Sequence, residues 1–235
     1  MTMAVLPRMR PHSAAAVACA VLLAGCGALV PGRPVPLAPT VVTRPVQAEL
    51  STLLLDPGQF PAPYEAVVLP PQAVLQAAGD LDGVGRGAHV QPRGCGTPDR
   101  VVGPNSAVMA VGADEATRAT LTVELIRTDE PLAALRTRVT ECRVVRVGRG
   151  GAVTVVTTQL YAPPRVEADD VMALHRTVRP PPGATGPVQS MWTLAGQVGD
   201  VRISATYMSF TGHEPDSEAL DAVFSTAVAK VSEHR

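Results

Sequence analysis

The chain reads as an α+β protein: an antiparallel β-sheet with helices packed on one face, among them a C-terminal amphipathic helix, and one disulfide. Three observations predict this. Residues 107–126, 144–160, 171–179 and 191–210 alternate apolar or β-branched side chains with polar ones between turn signals. After Pro215, the residues Leu220, Val223, Phe224, Ala227, Val228 and Val231 recur with the period of one helix face. Such a stripe must lie on something apolar, and the sheet is the surface at hand. Cys95 and Cys142 are the two cysteines left for the folded part.

The N-terminus explains why only two remain. Residues 1–25 have the layout of a secretory signal: Arg8 and Arg10 without an acid, then an apolar run over residues 14–23. Ten such residues make about 15 Å of helix, short of the ~20 residues a span needs. Leu23-Ala24-Gly25-Cys26 follows and reads as a lipobox. A thioether to diacylglycerol needs a sulfur nucleophile, and small neighbours admit a narrow peptidase cleft. Cys26 is therefore the expected lipid attachment, and the membrane, reached through that lipid, is the expected first partner. An ordinary signal peptide that happens to contain a cysteine is the alternative. Cys19 departs with the signal peptide.

Residues 26–48 form the lipidated cysteine and a tether. Pro31, Pro34, Pro36, Pro39 and Pro45 favour polyproline II. At ~3.1 Å per residue, about twenty residues reach up to ~60 Å. An ordered strand near Val41 and Val42 is the competing reading. Residues 49–235 then make a single extracytoplasmic domain, within the usual size for one core.

Within it, residues 49–55 read as a short helix or apolar arm stopped by Asp56-Pro57, and residues 65–69 as a first strand before Pro70-Pro71. Residues 73–78 make one or two helical turns, and the glycine-rich residues 79–94 a loop that delivers Cys95. Strands follow over 107–111 and 120–126. Residues 131–142 are a helix capped by Thr128 or Asp129, with Pro131 in its first turn. Leu132, Leu135, Val139 and Cys142 share its inner face. Residues 144–147 and 153–160 form a hairpin about Gly148-Arg149-Gly150-Gly151. Residues 171–179 are a strand, and a second hairpin turns at Gly199-Asp200. Asp216 or Ser217 caps the last helix.

An exported domain with two cysteines most simply pairs them. Cys95–Cys142 would close a loop worth ~4 kcal/mol on the chain-entropy model. Metal ligation or a redox pair would need a neighbouring ligand or a Cys-x-x-Cys spacing, and the sequence has neither.

Composition excludes several functions. Two of the 20 basic residues leave with the signal peptide, so 18 face 21 acidic ones, which is no footprint for nucleic acid. One Trp, three Tyr and three Phe argue against a stacking platform for bases or sugars. Asp80-Leu81-Asp82-Gly83 lacks the third ligand and the closing glutamate of a calcium loop, whose twelfth position here is Gln91. Gly83-Val84-Gly85-Arg86-Gly87 and Gly148-Arg149-Gly150-Gly151 do not join a strand to a helix, as a phosphate cradle requires. No serine sits in a Gly-x-Ser-x-Gly elbow. Ser204 or Ser209 with His175 or His213 is a conceivable nucleophile and base, but nothing favours it over surface serines. Asp169-Asp170 reads as solvated charge. No metal site, cofactor or catalytic group is expected.

Leu53-Leu54-Leu55-Asp56-Pro57, Cys95-Gly96-Thr97-Pro98, the helix ending in Cys142, the strand pair ending at Tyr207 and the helix from Asp216 together carry a resemblance. They are similar to small mycobacterial lipoproteins of unknown function related to the extracellular sensor domain of the serine/threonine kinase PknH. The resemblance spans roughly residues 49–231. It implies an antiparallel sheet with packed helices and a groove for an unknown ligand. The kinase sensor carries two disulfides and this chain can form one, so no groove residues are carried over. The expected function is a lipid-anchored, non-catalytic envelope domain that binds a small apolar molecule or an envelope protein. A hydrolase acting on envelope lipid or peptidoglycan is the alternative.

Overall fold

The computed structural model describes residues 45–85, 87–96, 106–210 and 214–235, which fall in one compact unit. The expected signal peptide, the expected lipid site Cys26, the expected tether up to residue 44, Thr97-Pro98 and His213 lie outside the described residues.

Nine strands form one antiparallel sheet. They are β1 (Glu65–Val68), β2 (His89–Gln91), β3 (Ala107–Asp114), β4 (Ala119–Arg127), β5 (Val144–Arg149), β6 (Ala152–Tyr161), β7 (Asp170–Arg179), β8 (Gln189–Val198) and β9 (Val201–Ser209). The spatial order is β1-β3-β4-β9-β8-β7-β6-β5-β2. Hairpins supply most of the pairings, and β9 returns to pair with β4. The turns follow from glycine. Gly150 and Gly151 have φ of 56° and 85° between the paired Arg149 and Ala152, as a two-residue hairpin loop requires. Gly199, with φ 56°, starts the turn between paired Val198 and Val201.

Four helices pack on the sheet among the described residues: α1 (Leu50–Leu53), α2 (Pro71–Leu81), α3 (Leu132–Glu141) and α4 (Ser217–Ser232). Strand alternation assigns them to faces. Leu121, Val123 and Leu125 of β4, Ile203, Ala205 and Tyr207 of β9, and Leu194 and Val198 of β8 point to the first face, where α1 and α4 cover them. All six residues of the predicted stripe on α4 are buried, and Asp216 caps the helix by accepting from the Ala219 N–H at 3.0 Å. A Cβ at Gly196 would stand 3.3 Å from Phe224 Cζ, so glycine lets that ring sit down on β8. Lys230, the single lysine, donates to the Leu54 carbonyl at 2.6 Å and fastens the arm after α1 to α4.

The other two helices lie on the opposite face. Val74 and Ala78 of α2 meet Ala107 and Met109 of β3. Leu132 and Val139 of α3 meet Met172, Leu174 and Ala195. The expectation of helices on one face is thus corrected: they divide two and two. The cause is visible in the strands: Met109 of β3 and Met172 and Leu174 of β7 are apolar on the face turned away from α1 and α4, so that face requires cover of its own.

Other differences are local. Residues 79–94 are not all loop: α2 runs through Gly79 to Leu81, and β2 forms by pairing with β5, a tertiary contact without local signal. Pro131 holds the N-cap position of α3, while the Thr128 hydroxyl accepts from the Glu130 N–H at 3.1 Å. Residues 45–48, expected at the end of the tether, are seated on the domain. Val46 is buried, and its N–H donates to Asp200 Oδ1 at 2.7 Å. Arg127 donates to the carbonyls of Val46 and Ala48 and pairs with Asp200. Cys95 and Cys142 are bonded, tying the turn after β2 to the C-terminus of α3.

Candidate functional site

A small apolar molecule needs a concave, mostly apolar site, and the space between the sheet and the terminal helix is the natural place to look for one. That space is filled: Phe224 and Ala227 are fully buried and Val228 nearly so. Beside α1, Leu54, Leu55, Val68 and Val74 line a cavity of about 100 Å³. A shallow groove of about 480 Å³ runs between α4 and residues 165–167.

The open ground is elsewhere on the first face. α4 covers β4, β9 and β8, and among the described residues no helix packs above the outer half, β5 to β7, on this face. Register places Val144 and Arg146 of β5, Val153, Val155, Gln159 and Tyr161 of β6, and His175 and Arg179 of β7 there side by side. Val144 is 56% exposed and Tyr161 45%, whereas Val145 and Val147, pointing the other way, are buried.

Three rings meet at the inner border of this half, where it adjoins β8. Trp192 is paired with His175 across β8 and β7, and their rings stack at 4.2 Å and 13°. Tyr161, two strands from β8, has its ring centre 5.0 Å from that of Trp192. It reaches across β7 beside Ala173, its register partner, whose methyl leaves room. The scarcity of aromatic residues argued against a stacking platform. The fold corrects that by gathering the single tryptophan, one of the three tyrosines and a histidine at one spot. Arg146 and Arg179 flank Val155 in register, and the residues of β5, β6 and β7 that point to this face include no carboxylate. The outer half-face is therefore aromatic, aliphatic and basic.

The same spot bears on the hydrolase alternative. His175 Nε2 lies 2.9 Å from Ser190 Oγ, so the histidine does meet a serine, though neither of those singled out in the sequence. Ser204 points to the second face beside Ala195, and Ser209 is on the first face but 1% exposed. A nucleophilic triad also needs a carboxylate to orient the imidazole and amides to receive an oxyanion. Burial first, and then the nearby Arg179, hold the His175 pKa below its usual value. That favours the neutral ring but supplies the wrong sign of charge behind it. β8 is an internal strand, paired on both sides at Ser190, so its amides belong to the ladder.

The depressed pKa gives a pH dependence. The unfolded chain takes up this proton more readily than the folded one. Stability from neutral His175 is therefore complete above about pH 6.5 and is lost as pH falls through the folded-state value. Protonation should also quench the stacked Trp192, whose fluorescence reads the event directly. A quenching midpoint below that of free histidine is expected, and one above it would contradict the stacked, half-buried placement.

The remaining motifs are structural. Asp82 pairs with Arg176 at 3.6 Å, and no group of three metal-ligating side chains occurs among the described residues. Asp169 accepts from the Gly199 N–H and pairs with Arg235, while Asp170 pairs with Arg136 at 2.6 Å, so both fasten the fold rather than stand solvated. Between α2 and α3, the second face carries a polar seam in which Thr122, Glu124 and Thr206 are all buried. The Thr193 and Thr206 hydroxyls bond there at 2.9 Å. Sequence reasoning missed the ring cluster because its members are far apart in the chain and meet only through strand register.

No protein-family model matches the chain, and no curated protein matches it. Among solved structures it is similar to an uncharacterised protein of Mycobacterium smegmatis, an Rv0999 ortholog. The identity is 14%, over 72% of this chain and 86% of that one, with a TM-score of 0.41. It is also similar to the extracellular domain of PknH from Mycobacterium tuberculosis, at 9% identity over 54% of this chain and 64% of that domain, with a TM-score of 0.37. Both agree in kind with the resemblance suggested by the sequence, and no ligand or residue role is transferred from either.

Proposed function

We propose that this chain is a lipid-anchored, non-catalytic binding domain of the cell envelope, held outside the cytoplasm by the acyl chains on Cys26. On this reading it takes its ligand on the open outer half of the sheet rather than in an enclosed pocket. The observation that carries the proposal is a face, uncovered among the described residues, that bears the Tyr161, Trp192 and His175 rings and, four residues further along the strands, Arg146 and Arg179. Ring faces stack on the apolar faces of sugar rings, and guanidiniums pair with phosphate or carboxylate in fixed geometry. The chemistry that fits is an acidic envelope glycan. The disulfide supports an oxidising compartment.

The test uses a phosphorylated mannan oligosaccharide, with its dephosphorylated form as control, and Trp192 fluorescence as the readout. Saturable change with the phosphorylated sugar is expected, weakened at least about tenfold by R146E/R179E, a loss of roughly 1.4 kcal/mol. Equal response to both sugars, or an unaffected double variant, would count against this face.

A further inference from the structure

The first strand of the sheet order is paired on one side only. β1 bonds to β3, and nothing pairs with its other edge among the described residues. The register tells which of its amides are free. The Leu69 N–H donates to the Met109 carbonyl at 2.9 Å, so residues 65, 67 and 69 aim their backbone groups at β3. Ala66 and Val68 aim theirs outward. Edges of this kind are commonly blunted by lysine, a bulge or a covering loop. Among the described residues β1 carries no lysine and no bulge, and its shortness and the prolines after it are what limit it; Val67 is 60% and Val68 52% exposed, and the single charge is Glu65 at its start.

We infer that β1 is a self-pairing edge, through which two copies of this chain join their sheets antiparallel about a twofold axis at Val67. The edge is complementary to itself in that register. Ala66 faces Val68 of the second copy and Val68 faces its Ala66, so the outward amides and carbonyls of both strands exchange four hydrogen bonds. Val67 faces Val67 of the second copy as a close, non-hydrogen-bonded pair, a favourable cross-strand contact. Glu65 falls opposite position 69, so no carboxylate faces another. A one-residue slip would bring the already bonded amides of Glu65 and Val67 to the joint. A two-residue shift would set Glu65 against Val67 and call on the Tyr64 N–H, already bonded to the Pro61 carbonyl, or would bring in Pro70, which has no N–H, so the register centred on Val67 is favoured. Pro70 and Pro71 end the strand and limit the joint to these residues.

Two four-residue strands bury less than the roughly 1,200 Å² of a standard interface. The joint is accordingly weak in solution and favoured where copies share a membrane plane, which rests on the anchoring reading above.

Cross-linking in the full chain, expressed for export, tests this. Val67→Cys places two thiols at the Cα separation of about 4.5 Å of a non-hydrogen-bonded pair, within disulfide reach. The expected result is a disulfide-linked dimer on a non-reducing gel of the membrane fraction. Glu65→Cys, displaced from the axis, should give none. Adding Ala66→Pro to Val67→Cys removes an outward N–H while sparing the β3 ladder, and should abolish the dimer. A Val67→Cys chain that stays monomeric in the membrane fraction, or one still cross-linked with Ala66→Pro present, overturns the inference. So does cross-linking to a different protein, which would make β1 the acceptor of a foreign strand. Chain missing from the membrane fraction reports instead on the anchor, and detergent-free cross-linking at high protein concentration then decides the pairing.

Discussion

Replacing Cys142 with serine should lower the melting temperature by roughly 8–16 °C. The bridge to Cys95 spans 47 positions, and a loop of that length is worth ~4 kcal/mol on the chain-entropy account. For a domain of this size each kcal/mol moves the midpoint by about 2–4 °C. The bond also holds a part of the sheet with little else to secure it. β2 contributes three residues and pairs on one side only, with β5. Its exit turn, Arg93–Cys95, is fixed to α3 by the sulfur. Around the bridge, Val145, Val147 and Val156 close a small separate cluster. A scan of the reduced and the Cys142→Ser proteins should show matching losses. Midpoints within a degree or two of the oxidised protein would mean that neighbouring packing constrains the loop without the bond.

The second large effect is expected at Phe224→Ala, about 3–5 kcal/mol, the range for deleting a buried aromatic ring. Phe224 is fully buried and lies over Gly196, with α4 on one side and β8 and β9 on the other. The backbone of β8 cannot rise to fill the space, because its ladder bonds to β7 and β9 hold it in place. Urea denaturation reads the loss as a lower midpoint at unchanged slope. Tyr161→Ala gives the contrast: at 45% exposure it should stay within about 1 kcal/mol of the parent. A large loss there would mark the ring cluster as a stability element and remove the reason to read it as a binding surface.

These two sites differ in how far the sequence discloses them. Phe224 stands in a helical stripe written over a few consecutive turns, and local periodicity is enough to place it. Gly199-Asp200 and Gly150-Gly151 are legible for the same reason, since a two-residue turn is fixed by its own residues. Asp200 shows the limit: its carboxylate also holds the Val46 N–H and Arg127, partners 154 and 73 positions away. The division of helices between faces was partly legible, because Met172 and Leu174 put an apolar pair on the face of β7 opposite to Ala173, and that pair needs cover of its own. β2 was not, since a three-residue strand among glycines exists through its pairing with β5. The outer half-face was the least legible of all. Tyr161, His175 and Trp192 are single residues in three strands, and only the register of β6, β7 and β8 makes them neighbours.

The most direct measurement is a two-dimensional amide NMR titration of the protein with the phosphorylated mannan oligosaccharide. One tryptophan gives one indole N–H resonance, so Trp192 reports without ambiguity. The Trp192 indole, Gln159, Tyr161 and His175 are expected to shift together and saturate, with Arg146 and Arg179 following. Shifts concentrated instead around Thr122 and Thr206, between α2 and α3, would place the ligand on the opposite face and contradict the proposed site.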